Sequence, residues 1–150
     1  LVGLHAGLPN FESGRRDVRI ILRGLTPNRH GSTQQHIEEI FFKDLETRRG
    51  QPGPSGLRIH RHRNPYPEVS DKHIVEDIRE RTKFYSYQYD DDRLLMIKCD
   101  ISRCSVHWRG IEWLEIKYEF KPNFLSSWRD IDGNVMAMVR WFMEDAQHKK

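Results

Sequence analysis

Residues 93–120, RLLMIKCDISRCSVHWRGIEWLEIKYEF, contain the clearest two-residue alternation of apolar and polar side chains in the chain. One side of the last segment carries apolar and aromatic residues, which are Leu114, Ile116, Tyr118 and Phe120. Residues 94–101 alternate in the same way. Residues 104–109 are a short extended piece between the two segments, and Arg109-Gly110 can reverse the chain after it. The stretch therefore predicts an antiparallel meander with one buried and one solvated face.

Weaker patterns on either side of this meander predict the remaining elements. Strands are expected at residues 17–23, 57–63 and 83–89, and helices at residues 32–49, at residues 72–82 and from a cap at Asp132 or Asn134 onwards. The predicted order is β-α-β-α-β-β-β-β-α. We interpret it as an α+β fold in which helices pack on one face of a mainly antiparallel sheet. Residues 1–16 are expected to form an irregular N-terminal arm, and residues 17–150 a single α+β domain.

The composition is typical of a globular protein with a polar surface. Of the 150 residues, 37% are hydrophobic and 31% are charged, and the formal net charge is +3. A core of ordinary size is feasible, and the charge permits an anionic partner. The chain has only two cysteines and no apolar run of the roughly 18 residues that a membrane helix requires. We therefore expect a soluble protein of a reducing, intracellular compartment, with no membrane contact.

Glu115 and Lys117 lie two residues apart on the polar side of the last strand, and Asp92 and Asp100 precede them. This arrangement resembles the PD-(D/E)xK nuclease pattern, although no Pro-Asp pair precedes a strand here. The resemblance implies a site where carboxylates hold Mg²⁺ and the lysine stabilises charge on a phosphate. The competing interpretation is a ladder of cross-strand ion pairs on an exposed sheet face, formed by Glu115, Lys117, Lys98 and Asp100.

Cys99, Cys104 and His107 form a second candidate site, with His60 and His62 as possible further ligands. Thiolate and imidazole suit tetrahedral Zn²⁺, but the spacing of the cysteines differs from the usual C-x2-C pair. Cys99 is predicted on the core side of its strand. We therefore favour a buried free thiol over a zinc ligand.

Basic and aromatic residues on the other predicted strands, together with Trp113 of the meander, form a third candidate surface. Arginines there would neutralise phosphates or acidic side chains, and aromatic rings would stack on bases. The residues assigned to this surface are Arg19, Arg23, Arg58, His60, Arg61, His62, Arg63, Tyr85, Tyr87 and Trp113. The alternative is that arginine-rich strands protect sheet edges and pair with acidic helix faces.

The last predicted helix carries more apolar surface than one core stripe needs. Its large side chains are Met136, Met138, Trp141, Phe142 and Met143. One side of this helix is therefore a candidate contact with a partner or with a second copy of the chain.

The sequence favours a non-catalytic intracellular module that binds RNA, or an acidic protein surface, as part of a larger assembly. No cofactor is expected for this function. The first alternative is the Mg²⁺-dependent nuclease, in which Asp92, Asp100, Glu115 and Lys117 would be catalytic. The second alternative is a homo- or hetero-oligomerisation domain that uses the C-terminal helix.

Overall fold

The computed structural model describes residues 2–6, 18–24, 33–63, 72–111 and 114–148, which contain one eight-stranded antiparallel sheet. Its strands are β1 (Val2–Ala6), β2 (Val18–Gly24), β3 (Gln51–Pro52), β4 (Arg58–His60), β5 (Lys83–Gln88), β6 (Leu94–Cys99), β7 (Cys104–Ile111) and β8 (Leu114–Phe120). The helices are α1 (Gln34–Phe42), α2 (Lys72–Arg81) and α3 (Trp128–His148), and 3₁₀ helices cover Pro54–Gly56 and Pro122–Ser127. The predicted single-domain α+β fold with a mainly antiparallel sheet is confirmed.

The strand order is β1-β2-β8-β7-β6-β5-β4-β3, so the predicted C-terminal meander forms the middle of the sheet. The core-facing residues of β8 are at most 3% exposed, and they are Leu114, Ile116, Tyr118 and Phe120. Ile131 and Val135 of α3 belong to the same buried cluster. Since full burial of a large apolar side chain contributes about 1.5–3 kcal/mol, this face of the sheet and α3 form the main core.

Helix α1 lies against the opposite face of the sheet. The ring centroids of Phe41 in α1 and Phe84 in β5 are 5.5 Å apart. Phe84 pairs in register with Lys98 and therefore points away from the core side, where Tyr85 is buried. The expectation of helices on a single face thus holds for α3 but not for α1. This second layer creates one of the clefts described below.

Several local predictions were wrong. Residues 1–16 are expected to be irregular, but Val2–Ala6 is an edge strand that pairs antiparallel with β2. Strand β7 continues through a register shift between Arg109 and Ile111, so the predicted reversal at Arg109-Gly110 was wrong. Helix α3 begins at Trp128, upstream of the predicted cap.

Cys99 and Cys104 form a disulfide that joins the end of β6 to the start of β7. The two residues are opposite each other in the antiparallel register, which brings their side chains together. The prediction of a buried free thiol was therefore wrong. Disulfides are typical of oxidising compartments, so this bond counts against the expected reducing one, and the intracellular location stays a prediction. Within the described part of the chain, no helix combines the length and apolarity needed to cross a bilayer.

Candidate functional site: a cleft between α1 and the sheet

The arginines of the predicted basic strand bind the protein itself. Arg58 donates hydrogen bonds of 3.0 Å to two backbone carbonyl groups of the segment 45–50, and Arg63 donates one of 2.9 Å to a third. Arg61 is exposed but forms ion pairs of 3.6 and 3.7 Å with two glutamates. These contacts hold the segment that follows α1 against β4. They use N–H groups of Arg58 and Arg63 that the predicted patch would need to bind a phosphate.

His60 is buried beside these arginines, with 3% of its surface exposed. Its Nδ1 lies 3.0 Å from the Thr47 carbonyl oxygen, and its Nε2 lies 2.6 Å from Ser86 Oγ. Because a carbonyl can only accept, Nδ1 carries the proton and Nε2 accepts from the Ser86 hydroxyl. Burial lowers the pKa of His60; the bond to Thr47 opposes this effect, and the charge of Arg58 adds to it. The predicted contact residue His60 is therefore a neutral part of the interior.

The neutral state of His60 predicts a specific loss of stability in mild acid. Since its folded-state pKa lies below the ordinary value of 6.5, the unfolded chain binds more protons as the pH falls below that value. The free energy of unfolding should then decrease from pH 6.5 towards about pH 5, by at most about 1.4 kcal/mol per pH unit. Urea unfolding of the wild type and of His60→Asn across this range measures the effect. A variant that retains the full wild-type pH dependence would contradict this assignment.

The two arginines of β2 lie on the polar face of the sheet beside acidic residues. The register places Arg19 opposite Glu119 and Arg23 opposite Glu115. An ion pair of 2.8 Å joins Arg103 to Glu119. Opposite charges in directly paired positions stabilise a sheet locally. Opposite charges therefore lie side by side on this half of the face, but they are not the ladder of Glu115, Lys117, Lys98 and Asp100 that the sequence offered as the alternative.

The predicted aromatic contacts do not join the arginines into one surface. Tyr85 is 6% exposed and belongs to the core. Tyr87 packs on Trp128, with ring centroids 4.9 Å apart, on the face that α3 covers. Trp113 lies outside the described residues. The nine described residues assigned to the basic and aromatic surface are thus distributed over both faces and the interior.

The acidic residues of the nuclease alternative are also separated. Asp92 is in the turn before β6 and Asp100 follows the end of β6, so a whole strand lies between them. Asp100 accepts hydrogen bonds from Ser102 and from the backbone of Arg103, and these bonds lower its pKa. Glu115 Oε1 lies 2.5 Å from His107 Nε2. The structure does not bring these carboxylates together.

The metal alternatives have different outcomes. Cys99 and Cys104 are consumed by the disulfide, and His107 contacts Glu115 instead, so the zinc site was a wrong prediction. No group of three or more His, Cys, Asp or Glu side chains among the described residues is arranged to hold a metal ion. The Mg²⁺-dependent nuclease stays a prediction.

Three lysines line a cleft of about 550 Å³ between α1 and the polar face of the sheet. They come from separate elements: Lys43 follows α1, Lys98 is in β6 and Lys117 is in β8. The other lining residues are Ile37, Ile40, Phe41, Asp44, His62, Phe84, Met96, Ser105 and His107. We call this site the lysine cleft. Of the predicted site residues it gathers His62, His107 and Lys117.

The lysine cleft combines positive charge with an apolar floor. Asp44 is the one acidic residue in the lining, against three lysines. Lys98 Nζ lies 5.7 Å from the centre of the Phe84 ring, so its ammonium group stands over the aromatic floor. Such an arrangement can neutralise an anionic group while an apolar part of the same ligand rests on aromatic carbon.

Lys43 and Lys98 were not among the predicted binding residues. The alternation of residues 93–120 does place Lys98 and Lys117 on the same polar face. It cannot indicate that α1 covers part of that face and closes a cleft over them. The strand pattern was therefore sufficient to place the two lysines, whereas the sequence does not show on which side of the sheet α1 packs.

The chain has no significant match among protein-family models, curated proteins or solved structures. Function is therefore argued from the geometry of its own side chains. Fold alone would not decide it, because one architecture serves many chemistries.

Proposed function

We propose that the protein is a non-catalytic binding module that takes single-stranded RNA in the lysine cleft. The observation that supports this proposal is the convergence of Lys43, Lys98 and Lys117 on a single apolar-floored cleft. Lysine ammonium groups bind phosphates and release counterions, which drives association with nucleic acid. The net charge of +3 favours the same class of partner.

The apolar part of the lysine cleft favours a single strand over a duplex. Bases of single-stranded RNA can leave the stack and contact aromatic side chains, whereas paired bases are not available. Phe84 is only 7% exposed and forms the floor, while Ile40 is 58% exposed at the rim. A base would lie between Ile40 and Phe41, and its flanking phosphates would lie towards the sheet.

The spacing of the strands sets where those phosphates bind. Lys98 and Lys117 are two strands apart, with β7 between them, and are offset by two residues along the strands, so their backbones are about 12 Å apart. Long lysine side chains can therefore reach neighbouring phosphates of one strand. Nothing in this arrangement requires bond cleavage, and the protein acts by holding its ligand.

Charge reversal of the sheet lysines tests the proposal. Lys98→Glu/Lys117→Glu removes two phosphate contacts. The negative slope of log K, the association constant, against log salt should therefore become shallower by about 1.4. At roughly 0.1 M salt this corresponds to a loss of affinity on the order of 20-fold or more. Fluorescence anisotropy with a labelled RNA decamer at several salt concentrations measures both quantities.

Lys83→Glu/Lys121→Glu is the matched control. Both lysines are exposed, and neither lines the lysine cleft, so the control has the same net charge change. It should lose much less affinity than the cleft variant. Equal losses in the two variants would contradict the proposal, and so would duplex binding that equals single-strand binding. Preference of the cleft for an acidic peptide over RNA would replace RNA by a protein partner.

A further inference from the structure

A second groove runs along α3 on the other face of the sheet, with a volume of about 650 Å³. The residues that define it are Arg93, Trp108, Arg129, Met136, Arg140 and Met143. We call it the arginine groove. It shares no lining residue with the lysine cleft, so the two sites can be tested independently.

Two of its guanidinium groups are available to an anion. Arg129 stacks on the rings of Tyr87 and Trp128, 4.8 and 4.9 Å from their centres. Stacking fixes the guanidinium plane and leaves its N–H edge for a carboxylate. Arg140 uses Nε for a 3.3 Å bond to the Met136 carbonyl. Within the described ranges, neither Arg129 nor Arg140 forms an ion pair.

The third guanidinium is neutralised, and this distinguishes the groove from a phosphate channel. Arg93 binds the buried carboxylate of Asp132 through both terminal nitrogens. Asp91 adds a second carboxylate to the lining. A ligand with a negative charge at every residue would be repelled by these two carboxylates. A ligand with only two negative charges, far apart, would avoid them.

The floor between the two arginines is apolar and adaptable. Met136 and Val139 are 9% and 4% exposed, and Trp108 and Met143 are partly exposed beside them. Methionine side chains adjust to the shape of a bound apolar side chain. The groove therefore offers cationic ends with an apolar middle.

We propose that the arginine groove binds an extended acidic segment of a partner protein. Arg129 and Arg140 are 11 positions apart in α3, which corresponds to about 16 Å along its axis. An extended chain covers this distance in roughly five residues. The ligand thus has two carboxylates four to six residues apart, with apolar side chains between them on Met136 and Trp108.

A labelled peptide of sequence EALALAE tests this geometry, with KALALAK as the reversed-charge control. The wild type binds the first peptide and not the second. Arg129→Glu/Arg140→Glu reduces affinity by about tenfold or more, whereas Lys83→Glu/Lys121→Glu leaves it nearly unchanged. Thermal unfolding checks the fold of each variant. If the double variant is destabilised, Arg140→Glu alone decides, because that side chain is exposed.

The two proposals predict that each double variant loses one ligand and keeps the other. Lys98→Glu/Lys117→Glu loses RNA and keeps the peptide, and Arg129→Glu/Arg140→Glu loses the peptide and keeps RNA. Loss of RNA binding in the arginine variant would overturn the peptide assignment. Self-association of the wild type that this variant abolishes would also overturn it, in favour of a second copy of the chain. Failure at the lysine cleft alone leaves the peptide result intact.

Discussion

Asp132→Asn is expected to lower the free energy of unfolding by about 3–5 kcal/mol. Asp132 has no exposed surface, and its carboxylate accepts 2.7 Å bonds from the hydroxyl groups of Tyr89 and Tyr118. It also receives both terminal nitrogens of Arg93, whose side chain is only 15% exposed. Removing the charge leaves the guanidinium without its counter-ion in a poorly solvated site. Urea unfolding followed by far-UV circular dichroism measures the loss.

The two tyrosines remain donors to this carboxylate at neutral pH. Burial raises the pKa of Tyr118 and of Tyr89, and the neighbouring charge of Asp132 raises both further. The network therefore keeps its protons under physiological conditions. Its disruption should come from substitution and not from titration of the phenols.

Asp130→Asn is the matched control for Asp132→Asn. Asp130 is exposed in the first turn of the same helix, so its replacement should cost less than about 1 kcal/mol. Arg93→Met completes a double-mutant cycle, in which the Arg93→Met/Asp132→Asn pair should cost less than the sum of the single variants. Additive losses, or equal stability of the two asparagine variants, would show that the pair does not hold the fold.

The same residue shows why the strands could be predicted and the buried network could not. The two-residue alternation of β8 reports directly which side of a strand is buried. The sequence predicts Asp132 or Asn134 as a helix cap, because both residue types favour that position. Its burial depends on Arg93, which is 39 residues away in the sequence. Patterns of neighbouring residues cannot show a contact between residues so far apart in the sequence.

The basic strand gave the least reliable prediction. A cluster of arginine and histidine in residues 58–63 is compatible with phosphate binding or with contacts to the protein's own backbone. The structure favours the second, since Arg58 and Arg63 bind carbonyl groups and His60 is buried. Lys98 and Lys117 were visible as polar positions, but their importance depends on where α1 docks.

Trp128→Ala is expected to cost about 3–5 kcal/mol, since it removes a large side chain from a closed site. Trp128 is 2% exposed at the start of α3 and contacts the rings of Tyr87 and Tyr89. Its Nε1 donates a 2.9 Å bond to the backbone oxygen of Ser55. The residue thus connects α3 both to β5 and to the loop between β3 and β4.

Two further variants separate packing from this hydrogen bond. Trp128→Phe keeps an aromatic ring but loses the donor, so it should cost about 1–2 kcal/mol, well below the alanine variant. Trp141→Ala is the control, because Trp141 is 67% exposed in the same helix and should change stability by no more than about 0.5 kcal/mol. Urea unfolding of the three variants gives the comparison. If Trp128→Ala and Trp141→Ala unfold at the same urea concentration, the core described for α3 is wrong, because only one of these rings is enclosed in it.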